Sequence, residues 1–123
     1  MGGRGTFANG NSVPLTYQNV EKIHDVWVVK GINGKHSLPV ESHKSNAYIK
    51  LEHDGTFKEM RIYAKNHKPL YEIAYHSEPQ LNNGKKDKIF HVHYYDKYGN
   101  RSNAKPIPKK LLEKYKKYYK GVM

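Results

Sequence analysis

The sequence predicts an α+β fold: a small antiparallel sheet of four to five strands with a C-terminal helix packed on one face. Three observations predict it. Short runs rich in β-branched and aromatic residues recur between positions 25 and 95, each bounded by turn residues. Asp54-Gly55 stands between two of these runs and is a tight-hairpin pair. After Pro106 and Pro108 the apolar residues fall at helical spacing, and proline suits a first helical turn.

Taken in order, residues 1–13 are rich in Gly and Asn and carry one cation, Arg4, which predicts a flexible N-terminal arm. Residues 14–123 are expected to form a single domain. Pro14 to His24 reads as a short helix with Thr16 or Asn19 near its start. Asp25 to Lys30 reads as a strand with Trp27 as a core anchor. Asn33-Gly34 marks a turn. A polar loop follows around Pro39, and Lys35, His36, His43 and Lys44 lie in or beside it. Ala47 to His53 alternates, which puts Ile49 and Leu51 inward and Tyr48, Lys50 and Glu52 outward.

The densest stretch is Lys58 to Asp96, which reads as three strands: the Thr56–Tyr63 run, Leu70 to His76, and Ile89 to Tyr95. The turn between the first two is Asn66 to Pro69. Side chains alternate between faces along a strand. With Met60, Ile62, Ile73, Tyr75, Phe90 and Val92 toward the core, the other face carries Glu59, Arg61, Tyr63, Glu72, His76, His91 and His93. That face is expected to be the working surface. Residues 77–88 form a basic loop with Lys85, Lys86 and Lys88, and Lys97 to Arg101 turns the chain away. A helix is predicted from about Lys109 to Lys120, with Leu111, Leu112, Tyr115, Tyr118 and Tyr119 as its apolar stripe.

Composition bounds the function. The chain has 123 residues, enough for one domain with a modest core. Its formal net charge is +11, with only three arginines among 22 basic residues. An excess of this size predicts a polyanionic partner, RNA or another nucleic acid, gripped through lysine point charges. Eleven tyrosines supply rings that pack on one side and stack on bases on the other. There is no cysteine, so disulfides, thiolate nucleophiles and cysteine-based zinc sites are excluded. No apolar run is long enough to span a bilayer or to serve as a secretory signal, so no membrane contact is expected. No glycine-rich phosphate loop, nucleophile elbow or dinucleotide fingerprint occurs.

The histidine-rich face carries what a metal-independent ribonuclease needs: a base for the 2′-hydroxyl proton, an acid for the leaving oxygen, and a cation for the charged phosphorane. The catalytic candidates are Arg61, Glu72, His76, His91 and His93. Tyr63, Tyr95, Lys85, Lys86, Lys88 and Arg101 are the candidates for nucleic-acid contact. No cofactor is expected. The fallback is a metal ion on His91 and His93, two residues apart on a strand, with His76 or Glu72 as third ligand.

The run Asp54 to Tyr63, then His67-Lys68-Pro69, Glu72 to His76 and His91-Val92-His93-Tyr94, resembles a C-terminal module of phage and prophage minor head (capsid) proteins of Gram-positive bacteria. Similar modules end polymorphic toxins, and those are grouped with the barnase-like, colicin-like and RelE-like ribonucleases. The resemblance spans roughly residues 30 to 96. It implies a small antiparallel sheet with helices on one face and RNA on the other, with Arg61, His76, His91 and His93 as catalytic groups. It further implies a bacterial cytoplasmic or virion location, and phage head proteins or an immunity protein as partners. The alternative is a non-catalytic module of a phage head or connector that binds nucleic acid or protein.

Overall fold

The computed structural model describes residues 17–31, Leu38 and 46–122. Seven strands form one sheet in chain order: β1 (Tyr17–Ile23), β2 (Val26–Gly31), β3 (Ala47–Leu51), β4 (Phe57–Tyr63), β5 (Pro69–Ser77), β6 (Lys88–Tyr94) and β7 (Lys105–Pro106). Neighbours pair antiparallel except β2 and β3, which run parallel through Trp27↔Tyr48 and Val28↔Ile49. The sheet is therefore mixed and larger than the four-to-five-stranded antiparallel sheet that the sequence predicts. A hairpin needs only a tight turn, whereas a parallel pair needs a long connection. Residues 32–46 provide that length.

Two further expectations are corrected. The segment read as a helix, Pro14 to His24, contains β1, which folds back on β2 through His24 and Asp25. Its polar sequence carried little strand signal. The strand-forming residues are in β2, and pairing with that ladder overrides local propensity. A bulge between Asn19 and Glu21 leaves Val20 without a partner, 55% exposed. At the other end, the helix expected from Lys109 to Lys120 is a six-residue α1 (Lys109–Lys114), followed by a 3-10 turn at Lys116–Tyr118. Tyr115 ends the helix at φ −109°, ψ 16°, and the turn that follows buries both Tyr118 and Tyr119. The Tyr119 hydroxyl donates 2.9 Å to the Leu112 carbonyl, one of the acceptors that the end of the helix leaves open.

The main core lies between one sheet face and the C-terminal segment. Val28, Ile49, Phe57, Met60, Ile62 and Ile73 meet Tyr118 and Tyr119, with Tyr75 and Phe90 partly buried against them. Tyr119 lies 4.9 Å from the Phe57 ring centre and 4.8 Å from that of Phe90. The Phe57 N–H donates to Lys120 O at 2.8 Å, so the chain end is tied to the start of β4. Gly121 is fixed by this approach. Its φ is +76°, and a Cβ there would come within 2.8 Å of Thr56 Cγ2.

The hairpin between β3 and β4 turns on Asp54-Gly55. Gly55 sits at φ +89°, and Asp54 Oδ1 accepts from both the N–H and the hydroxyl of Thr56. The long loop after β5 holds a 3-10 turn, Pro79–Leu81, and ends at Lys88. The proposed arm at 1–13, the Asn33-Gly34 turn, His36 and His43 lie outside the described residues. Among the described residues no helix is long and apolar enough to cross a membrane.

The face opposite the main core is the largest departure from expectation. It was expected to be open, and it is buried. Val29, Leu38, Tyr48 and Tyr63 form a second apolar cluster there, with Trp27 packed on it. Tyr48, expected outward, has no exposed surface. Beside this cluster Glu59, Arg61, Glu72, His91 and His93 are all buried too.

Candidate functional site

The register sets out the candidate residues in cross-strand rows. Arg61 on β4 pairs with Glu72 on β5, which pairs with His93 on β6. In the next row Glu59 pairs with Ala74, and Ala74 with His91. His76 pairs with Ile89 one row further. Directly paired residues in a ladder share a face, so all these polar groups project to the same side.

Glu72 is the electrostatic centre, with 1% of its surface exposed. Its Oε1 accepts from Arg61 Nε at 2.9 Å and lies 2.8 Å from a terminal guanidinium nitrogen of Arg61. Its Oε2 accepts from Arg101 at 3.0 Å. One buried carboxylate thus bridges two guanidiniums, and both its oxygens are engaged. Arg61 also donates to the Leu38 carbonyl at 3.0 Å and stands 5.3 Å from the Tyr95 ring centre. Burial is the largest single influence and works against the Arg61 charge, but the charge and hydrogen bond of Glu72 together with Tyr63 and Tyr95 outweigh it and keep the guanidinium protonated. Arg101 is brought in by the Tyr95–Arg101 bridge just beyond β6, and its side chain is partly exposed.

The two histidines of β6 are held alike. His91 Nδ1 lies 3.1 Å from the Ile89 carbonyl, and His93 Nδ1 lies 2.9 Å from the Ser102 carbonyl. A carbonyl only accepts, so each Nδ1 carries the proton and each Nε2 of the neutral ring is a bare lone pair. Both Nε2 atoms are buried, and among the described residues neither has a hydrogen-bond partner. Burial depresses the pKa of both rings, opposed in part by these carbonyl contacts. The rings of His91 and His93 are 5.3 Å apart, centre to centre. His76, half-buried, stands 4.6 Å from His91.

Glu59 is the residue that sequence reasoning left out of the catalytic set. It is 8% exposed, and its carboxyl is pushed up to about 7 by burial and by the Glu72 charge, against the pull of Arg61 and Lys50. The sequence held one signal for it: Glu59 alternates with Arg61 on β4 and so shares its face. Ser102, whose carbonyl fixes His93, carried no such signal.

The other candidates divide. Tyr95 and Arg101 belong to the cluster. Tyr63 is buried in the neighbouring apolar group, edge-on to Tyr48 at 5.4 Å. Lys85, Lys86 and Lys88 are exposed, and Lys88 reaches Glu52 at 3.3 Å. Among the described residues no group of three or more His, Asp or Glu is disposed to hold a metal ion, so His76, His91 and His93 are not assembled as a ligand set.

Fold and site together define a class by geometry: a basic domain with a seven-stranded mixed sheet and, on the reverse of its main core, a buried Arg–Glu–Arg bridge beside paired neutral imidazoles. Comparison with protein-family models, curated proteins and solved structures finds no match to this chain.

Proposed function

We propose that this chain acts on RNA as a metal-independent ribonuclease of the toxin type, by general acid–base catalysis at His91 and His93. The observation that carries this reading is the pair of buried imidazoles with fixed tautomers and bare Nε2 atoms. Buried polar atoms are almost always satisfied, and these two adjacent lone pairs have no donor among the described residues; a 2′-hydroxyl is a donor of the kind they would accept. A neutral Nε2 with a depressed pKa accepts the 2′-hydroxyl proton. The imidazolium so formed gives that same proton to the leaving 5′-oxygen, directly or through the second imidazole, so the proton taken from the 2′-hydroxyl is the one the leaving group receives. Arg61 and Arg101 supply positive charge for the phosphorane, and Glu72 fixes both guanidiniums rather than serving as base. Phage association is part of the same proposal and is supported by the resemblance in residues 54–96. The partners that go with it are phage head proteins or an immunity protein, and the location is the bacterial cytoplasm or the virion.

The test is incubation of the chain with labelled total RNA, with and without EDTA, beside a His91→Gln/His93→Gln variant whose folding is checked by circular dichroism. The expected result is EDTA-resistant cleavage that falls by about 100-fold or more in the folded variant. Equal cleavage by the folded variant would remove these histidines from the mechanism.

One observation favours a second reading, a non-catalytic module that binds nucleic acid or protein through its exposed lysines. His91 has no exposed surface and Glu72 has 1%. RNA left intact in every lane, with salt-sensitive RNA binding, would select that reading.

A further inference from the structure

The largest cluster of lysines in the sequence lies on the opposite side of the sheet from the histidines. Lys109, Lys110, Lys114, Lys116, Lys117 and Lys120 fall within twelve residues, where Glu113 is the single acid. All six are exposed. The segment that carries them packs on the main core through Leu111, Leu112, Tyr115, Tyr118 and Tyr119. Among the described residues Lys120 alone of the six forms an ion pair, with Glu21 at 3.0 Å. Asp25, which feels the Lys117 charge, is already engaged by the Tyr118 hydroxyl.

A chain of tyrosine rings runs beside these lysines. Tyr94 on β6 pairs with Tyr71 on β5, and the two ring centres are 6.5 Å apart. Tyr71 is 6.3 Å from Tyr115, and their hydroxyls share a hydrogen bond of 2.7 Å. Tyr115 is 6.2 Å from Tyr118. Lys114 Nζ stands 5.4 Å from the Tyr115 ring centre, and Lys117 Nζ stands 5.2 Å from that of Tyr118. Tyr118 is buried, and Tyr71 and Tyr115 are half-buried, but Tyr94 is 41% exposed.

We propose that this side of the molecule holds single-stranded RNA, with a base stacked on Tyr94 and phosphates further along the strand on Lys114 and Lys117. Single-strand sites combine a basic track with aromatic rings, because every base has a π face and every phosphate a charge. The hydroxyl bond between Tyr71 and Tyr115 fixes two rings of the chain before any ligand arrives, which lowers the entropy lost on binding. Lysine ammoniums are point charges, so they hold the backbone whatever the sequence of the strand. An acidic protein would satisfy the lysines but would have no use for the open ring of Tyr94. The choice of RNA as ligand rests on the reading above, but the surface uses neither His91 nor His93.

The probe is a fluorescently labelled 2′-O-methyl oligouridine of about 12 nucleotides, whose blocked 2′-hydroxyls prevent cleavage. It is titrated with the intact chain by anisotropy at several salt concentrations, and circular dichroism melts check that each variant folds. The parent is expected to bind saturably, with affinity falling as salt rises. Lys114→Gln/Lys117→Gln is expected to weaken binding about tenfold or more at low salt and to reduce the salt slope by about 1.4, the share of two phosphates. Tyr94→Leu keeps bulk against Tyr71 without a flat face, and is expected to weaken binding about fivefold or more with the slope unchanged, since a stacked ring releases no counterion. Tyr94→Phe should restore the parent affinity. A hairpin duplex of equal phosphate count should bind the parent and Tyr94→Leu alike. Parent-like binding of the oligouridine by folded Tyr94→Leu overturns the proposal. So does an unchanged salt slope in Lys114→Gln/Lys117→Gln, or displacement of the probe by polyglutamate as readily as by unlabelled oligouridine, which would mark a surface for an acidic protein. Because the probe cannot be cleaved, a chain without ribonuclease activity still gives a result here, and failure here leaves the test of the histidines standing.

Discussion

On the face toward the C-terminal segment, Phe57, Met60, Ile73 and Val92 are buried beside one another. On the reverse of the same strands, Glu59, Arg61, Glu72 and His91 are buried to nearly the same degree. The first group loses water at a gain, because apolar surface is removed from it. The second loses water at a cost that only mutual pairing offsets. Glu72 between two guanidiniums meets that requirement, while His91 Nε2 and His93 Nε2 find no partner among the described residues. The comparison teaches where a fold under pressure only to be stable would have been built differently. The apolar face fits that pressure, and the polar face keeps groups that stability alone would replace.

The sharpest way to break the comparison is to remove Glu72. Glu72→Ala leaves a buried guanidinium without its carboxylate and should cost about 3–5 kcal/mol in urea unfolding. Ile73→Ala, its chain neighbour on the apolar face, should cost about 2–5 kcal/mol by opening a cavity. The double change Arg61→Met/Glu72→Leu should be close to neutral, since it removes the two buried charges together and leaves only Arg101, whose side chain is 44% exposed and able to reach water. A large loss in that double variant would mean that the polar network holds the fold and is not an addition to it.

Next in size is Glu59. Its carboxyl binds a proton more tightly folded than unfolded, so its ionisation destabilises the fold increasingly from about pH 4.5 up to about 7. Glu59→Gln should therefore stabilise the chain at pH 8 by roughly 1–3 kcal/mol and by less at pH 5. Equal effects at both pH values would show that its carboxyl titrates normally.

The histidines carry the opposite sign. Their pKa values are depressed in the folded chain, so the unfolded chain binds more protons as pH falls through about 6.5. Stability should fall on acidification below that point, and the fall should flatten in His91→Gln/His93→Gln. Because Glu59 gains protons in the same window, the histidine effect is cleanest in a Glu59→Gln background.

The smallest expected effect concerns the exposed lysines. Lys85→Ala/Lys86→Ala/Lys88→Ala should weaken RNA binding uniformly across sequences and reduce its salt dependence, leaving stability within about 0.5 kcal/mol. An unchanged salt slope would place the phosphate contacts elsewhere, with the lysines of α1 and the following turn as the first alternative.

What the sequence by itself determined was local. The period of two along Phe57–Tyr63, Pro69–Ser77 and Lys88–Tyr94 was legible, and so was the division of Met60, Ile73 and Val92 from Arg61, Glu72, His91 and His93. Strand alternation needs no knowledge of the rest of the chain. The Asp54-Gly55 hairpin was legible for the same reason. Only the tertiary structure decided the remainder. Polar Tyr17–Ile23 became a strand because β2 offered a ladder to pair with, and beyond Lys114 the chain leaves the helix and is tied to the start of β4 through the Phe57–Lys120 hydrogen bond, with Tyr118 and Tyr119 in the core. The burial of the histidine face is of the same kind. Alternation says which side chains share a face, but what covers that face comes from residues far away in the chain: Leu38, whose carbonyl meets Arg61, and Ser102, whose carbonyl fixes His93. Long-range contact, unlike period, leaves no mark in the neighbouring sequence.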